Sequence, residues 1–208
     1  MIVAIDGPAG AGKSTVARRL AERLGFRYLD TGAMYRAVTW LALERGVELE
    51  DGEAVARLAA ASPIAFADGR VLAGGHDVTE AIRAARIDRV VSTVARHEAV
   101  RRLMRARQRE LAEAGDAVVE GRDIGTVVCP GAEVKVYLVA AEAERARRRQ
   151  SERPGPGEGT ATDLRVRDLR DAAQMGRARD AVEIDTTLLA IDEVVDLIEE
   201  LVVSRAGA

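Results

Sequence analysis

The stretch "DGPAGAGKST", residues Asp6 to Thr15, constrains this chain most, because very few backbones accommodate it. It follows the apolar, β-branched run Ile2-Val3-Ala4-Ile5, which reads as a buried parallel strand. Beyond it, Val16, Leu20 and Leu24 recur every four residues and Gly25 ends the pattern, as in an amphipathic helix with a glycine C-cap. Gly7, Gly12, Lys13 and Ser14 match G-x-x-x-x-G-K-[ST] in the strand-before, helix-after context that this motif requires. From Gly7 through Pro8, Ala9, Gly10, Ala11 and Gly12 the side chains are small or absent. Successive N–H groups can therefore wrap an anion, aided by the positive end of the helix. Lys13 adds a point charge for the β/γ-phosphates, the Ser14 hydroxyl suits Mg²⁺, and Thr15 closes the run. Only two of the 31 basic residues are lysines, so a lysine at this position is informative. A flexible ammonium fits such a cradle where a planar guanidinium does not. The expected ligand is a nucleoside triphosphate with Mg²⁺.

The remaining pattern alternates strands with helices and predicts an α/β fold: a P-loop-type parallel sheet flanked by helices. Strands are expected at Phe26–Leu29, Ala117–Val119, Val134–Val139 and Ala181–Ile184. Thr31 can cap a helix running to about Arg45, with Gly46 as its stop. In "SPIAFADGRVLAGGHDVTEAI" two apolar runs flank Asp68-Gly69, which predicts small antiparallel strands inserted between helices. A long arginine-rich helix is expected from Glu98 to Ala114. Ile191, Val194, Val195, Ile198, Leu201 and Val202 give the last helix an apolar stripe. The Pro/Gly-rich "SERPGPGEGTAT" reads either as a solvated loop or as a lid. The expectation is one domain, 1–208, with sub-regions at 31–115 for the acceptor and 149–175 for the lid.

Several function classes are excluded. Aromatics make up 3% of the chain and the net charge is −3, which disfavours nucleic-acid binding by stacking or polyanion neutralisation. One cysteine and two histidines leave neither a zinc cluster nor a Ser-His-Asp triad attractive. No apolar run approaches the roughly 18 residues needed to cross a bilayer. A cytoplasmic monomer with no membrane partner is expected. The chain lacks asparagine, so the Asn-Lys-x-Asp guanine reader of GTPase switches is absent. A small P-loop chain rich in arginine suits a small-molecule kinase, because guanidinium forks can hold two mutually repelling phosphate groups.

Three further segments, "YLDTGAMYR" (28–36), "EGRDIGTVVCP" (120–130) and "RDLRDAAQ" (167–174), together with the opening stretch, resemble bacterial cytidylate kinases of the nucleoside-monophosphate kinase superfamily. The resemblance covers nearly the whole chain, and the region 63–97 sits where that family carries its substrate-binding insert. It implies ATP, CMP and dCMP as small-molecule partners and assigns roles by position. Lys13, Arg36 and Arg122 would act on phosphates during transfer, with Arg36 and Arg122 on the acceptor phosphate. Thr31 would position the acceptor nucleotide. Ser92, Arg101 and Asp123, with Gly121 and Arg122 in the same G-R-D segment, would read cytosine and hold the nucleotide. Arg167 and Asp171 would approach ribose and phosphate from the lid side. Read on residue type alone, Arg101 belongs to a solvated helix face and Asp123 to a turn cap. Arg145, Arg148 and Arg149 flank the expected lid, with no choice among them. Thr186 and Thr187 match a loop that family members use near adenine. The chain departs from the family at Gln174, where many members carry an arginine toward the acceptor phosphate. Arg177 or Arg179 could compensate, or the remaining arginines could suffice. A kinase for UMP or shikimate, or a switch that binds ATP without turnover, are the alternative readings.

Overall fold

The computed structural model describes residues 1–67, 69–152, 161–172 and 175–207, with the side chains of Glu152, Ala161, Asp163 and Arg167 left out. The stretch 153–160 and Gln174 lie outside the described residues. The chain divides into two units, Met1–Asp30 with Arg109–Ala208, and Thr31–Gln108.

In the first unit β1 (Ile2–Asp6), β2 (Arg27–Asp30), β6 (Ala117–Gly121), β7 (Val134–Val139) and β8 (Val182–Asp185) form one parallel sheet in the order β2-β6-β1-β7-β8. Strand β1 is central, and Asp6 stands opposite Gly121 on one side and Tyr137 on the other. Its run of buried residues matches a strand covered on both faces. Helices α1 (Lys13–Leu24) and α8 (Ile191–Ala206) pack on each other. Val16, Ala17, Leu20 and Ala21 meet Val194, Val195, Ile198 and Val202 in a core shared with Val3, Ile5, Val136 and Leu138. At the rim Arg23 pairs with Asp196 and Glu199. Helices α6 (Glu142–Glu152) and α7 (Ala161–Asp171) complete the unit.

The second unit opens with α2 (Thr31–Glu44), which starts at Thr31 itself because β2 passes into it without a loop; Thr31 is a buried first helical residue rather than a preceding cap. There follow α3 (Gly52–Ala61), the antiparallel strands β3 (Ile64–Ala67), β4 (Arg70–Ala73) and β5 (His76–Asp77), and α4 (Ala85–Ala95). Helix α5 (Glu98–Glu113) belongs to this unit through Gln108. Asp51 caps α3 by accepting from the Ala54 N–H at 2.9 Å. Helices α2 and α4 pack together, and Met34, Val38, Leu41, Ile87, Val91 and Val94 are buried. Among the described residues no helix is long and apolar enough to cross a membrane.

Candidate active site

The carboxyl ends of β1, β2, β6 and β8 lie along one edge of the parallel sheet, the edge where such folds place ligands. The loop after β1 is forced on its sequence by close packing. Gly7 has φ +147°, and a Cβ there would lie 2.2 Å from the Leu138 carbonyl oxygen. Gly10 has φ +76°, and its Cβ would stand 2.9 Å from both the Cβ and the backbone oxygen of Arg145. A side chain at either position would force the loop or its neighbour to move. Gly12 stands just before α1 and supplies no side-chain cap, and a helix start of this kind suits an anion.

Lys13 Nζ donates to the Pro8 carbonyl at 2.7 Å, which folds the ammonium over the loop. The Ser14 hydroxyl donates to Glu120, the residue before the last on β6. Tyr28 Oη donates to the same carboxylate at 2.9 Å, and the Arg18 guanidinium lies 5.5 Å above the Tyr28 ring. Burial holds the Glu120 carboxyl above its ordinary pKa and repulsion from Asp30 adds to this, while Lys13, Ser14 and Tyr28 act the other way. A hydroxyl and two carboxylates beside the loop lysine form a hard-oxygen donor set, which suits Mg²⁺ shared with phosphates.

A second layer of arginines braces this loop. Arg145 Nη1 donates to the Ala9 carbonyl at 3.0 Å and to Asp168 Oδ2 at 2.6 Å, which ties α6 and α7 to the loop. Arg148 donates to Thr186 Oγ1 at 2.9 Å and to the Thr186 carbonyl at 2.6 Å. Thr186 is buried and its hydroxyl lies within hydrogen-bond reach of the Ala11 carbonyl, at 3.2 Å. Thr187 donates its hydroxyl to Asp185 and accepts from the Ala141 N–H at 2.9 Å.

Of the expected acceptor-binding residues in this unit, the structure pairs Arg122 with Asp171. Arg122 Nη1 donates to the Gly7 carbonyl at 2.8 Å and Nη2 to Asp171 Oδ2 at 3.1 Å. Gly121 is buried at the end of β6, and Asp123 opens a π-helical turn, Ile124–Val128. Arg167 lies on α7, but its side chain is outside the described residues. Arg177 is exposed and pairs with Glu183 at 2.7 Å.

The second unit holds Thr31, Arg36, Ser92 and Arg101. Arg36 lies in the second turn of α2, past the helix start, and pairs with Asp88 of α4. Ser92 follows Asp88 by one helical turn and so shares its face of α4. Arg101 is 5% exposed, which removes the solvated-face reading. Its guanidinium lies 6.0 Å from the Tyr35 ring centroid and donates to the Ala95 carbonyl at 3.2 Å.

Asp6, Tyr28, Glu120 and Asp168 have clear structural parts here; each lies inside a segment quoted above, but the sequence assigns none of them a role. Asp6 and Glu120 carry a signal in retrospect, since one is the last residue and the other the last but one of a buried apolar strand. Tyr28 and Asp168 carry none, because their partners are 92 and 23 residues away.

A family model described as cytidylate kinase matches residues 3–204. The chain is 49% identical to the cytidylate kinase of Geobacillus kaustophilus (strain HTA426), over 99% of this chain and 97% of that one. It is 48% identical to the cytidylate kinase of Shouchella clausii (strain KSM-K16), over 96% and 95% of the two chains. Among solved structures, a gluconokinase from Sinorhizobium meliloti 1021 is similar with a TM-score of 0.51, covering 99% of this chain and 93% of that one at 16% identity, a likeness of fold alone. With the family model matching residues 3–204 and curated relatives nearly half identical over almost its whole length, the chain belongs to the cytidylate kinase family.

Proposed function

We propose that this chain transfers the γ-phosphoryl group of ATP to CMP or dCMP, giving ADP and CDP or dCDP. The observation that carries the reading furthest is Arg122, whose guanidinium touches the first residue of the phosphate loop. Arginine at that point can bind an acceptor phosphate close to the one being transferred. Phosphoryl transfer needs positioning and charge stabilisation more than covalent help, and no side-chain nucleophile is required.

The loop from Gly7 to Thr15 binds the ATP phosphates, with Lys13 on the β/γ-phosphates. Arg145 and Arg148 brace the loop and the Thr186 turn, so α6 sets the shape of the cradle. In the second unit Thr31 and Arg36 hold the acceptor, and Ser92 and Arg101 address the cytosine edge. Arg101 suits this because it is already desolvated and oriented by Tyr35. In the first unit Arg122 takes the acceptor phosphate, Asp123 accepts from the cytosine 4-amino group, and Arg167 and Asp171 serve ribose and phosphate. Ser14, with Glu120 and Asp30 behind it, would hold Mg²⁺. When bound, that ion would supply charge neutralisation to the phosphates during transfer.

The test is ADP release measured with ATP and a panel of acceptors: CMP, dCMP, UMP, AMP and shikimate. CMP and dCMP should drive stoichiometric diphosphate formation that stops when the divalent ion is chelated. ATP consumption that needs no acceptor, or that responds only to another acceptor, overturns the reading.

A further inference from the structure

Asp6 ends the central strand of the sheet, 3% exposed, and no phosphate-loop chemistry requires an acid there. Its carboxylate accepts two consecutive backbone N–H groups, from Ile124 and Gly125, both at 2.8 Å. These are donors at the open start of the π-helical turn, where the turn itself offers them no acceptor. The turn closes on Asp123, whose carbonyl accepts from the N–H of Val127 at 2.9 Å and of Val128 at 3.1 Å. At its far end Arg109 takes the open carbonyls, donating from Nε to Val128 at 2.8 Å and from Nη2 to Val127 at 2.6 Å. An anion and a cation from outside thus complete both ends of a strained type of turn. Single π-turns of this kind are commonly retained at functional sites.

The arrangement is costly to keep. Burial pushes the Asp6 carboxyl up to about 6, its two backbone donors and Lys13 opposing, Asp123 adding to the rise. An acid kept in such a place at a cost in stability calls for a role beyond packing.

We propose that Asp6 is a positioning residue for acceptor selection: by clamping the turn Ile124–Val128 together with Arg109, it sets the aim of Asp123 and Arg122. The inference rests on the reading that these two residues face the acceptor nucleotide. Since Asp6 also leads directly into Gly7, which accepts from Arg122, one short segment fixes both the phosphate loop and the acceptor turn.

Asp6→Asn keeps the shape but leaves one acceptor oxygen for two N–H groups, so the turn should loosen without emptying the phosphate loop. Arg109→Gln weakens the opposite end from an exposed position and serves if Asp6→Asn does not fold. Asp123→Asn provides the reference. The measurements are kcat/KM for CMP and for UMP, ATP affinity, and thermal midpoint. Asp6→Asn should lower the CMP-over-UMP ratio about tenfold, and Arg109→Gln should lower it in the same direction, with ATP affinity within about threefold. A residue that only supports the fold would lower use of both acceptors equally and leave their ratio alone. If Asp123→Asn narrows the ratio while both clamp variants keep it, the clamp proposal falls and the acceptor reading stands. If none of the three moves the ratio, the base reader lies elsewhere and both fall.

Discussion

Lys13 and Arg36 carry the plainest consequences at the level of single side chains. Lys13→Met removes the charge folded over the phosphate loop while keeping the length of the side chain. Its kcat should fall about 10²-fold, on the order of 3 kcal/mol of transition-state stabilisation, in a protein that melts normally. A near-normal kcat would remove the lysine from the transfer step. Arg36→Ala should reduce kcat/KM for CMP at least about tenfold with ATP affinity unchanged, because Arg36 lies in the unit without the phosphate loop. Isothermal titration of ATP and steady-state kinetics with CMP separate the two effects, and a loss of ATP affinity instead would reverse the assignment. Arg122 is less clean a probe, since it also donates to the Gly7 carbonyl. Side-chain roles differ in how far a motif reveals them. Lys13 and Ser14 are evident from spacing. Arg101 is one arginine in the charged segment "RRLMRARQR", and only burial against Tyr35 distinguishes it from its neighbours.

Among the elements, the phosphate loop depends on α6 as much as on its own glycines. Gly10→Ala places a methyl group against Arg145, at a backbone conformation that alanine disfavours. This should destabilise the protein by about 1–3 kcal/mol and weaken ATP at least about tenfold, since the loop must open to relieve the contact. Thermal denaturation and ATP titration on the same variant test both effects; unchanged ATP affinity would mean that α6 yields and the loop does not. The strands other than β5, and the helices α1, α2, α5 and α8, are legible along the chain, because each has a short apolar run, a dominant apolar period or a glycine stop. Helices α3 and α4 are not. Their sequences, "GEAVARLAAA" and "ARIDRVVSTVA", are dominated by alanine, arginine and valine, which suit several states until packing selects one. The π-turn Ile124–Val128 is hidden for a different reason: nothing in "IGTVV" marks it, and its two ends are held by Asp6 and Arg109 from elsewhere in the chain.

For the molecule as a whole, acidity should alter stability through Asp6. The carboxyl titrates at its ordinary 3.8 when unfolded and at about 6 when folded. Between those values the folded chain binds a proton that the unfolded chain has released, so stability falls as pH rises through this window. The stabilisation is complete below about 4 and is lost above about 6, at most about 3 kcal/mol for such a shift. Asp6→Asn abolishes this contribution. Denaturant midpoints at pH 4.5 and 7.5 should therefore show the wild type losing stability relative to Asp6→Asn at the higher pH. A constant difference between the two proteins would mean that Asp6 is ionised in the fold as readily as in the unfolded chain.

Rules that act over a few residues were enough to place the phosphate loop, the parallel strands and the arginine-bearing segments of this protein. Glycine spacing, strand runs and helix stops depend on contacts within one or two turns of chain. The pairing of Arg122 with Asp171, the burial of Arg101, the hydrogen bond from Tyr28 to Glu120 and the clamp from Asp6 to the turn Ile124–Val128 arise otherwise. Those partners lie 49, 92 and 118 residues apart for the three hydrogen-bonded sets. Their energies come from desolvation and from hydrogen bonds that exist only once the sheet has closed, so no local pattern can carry them.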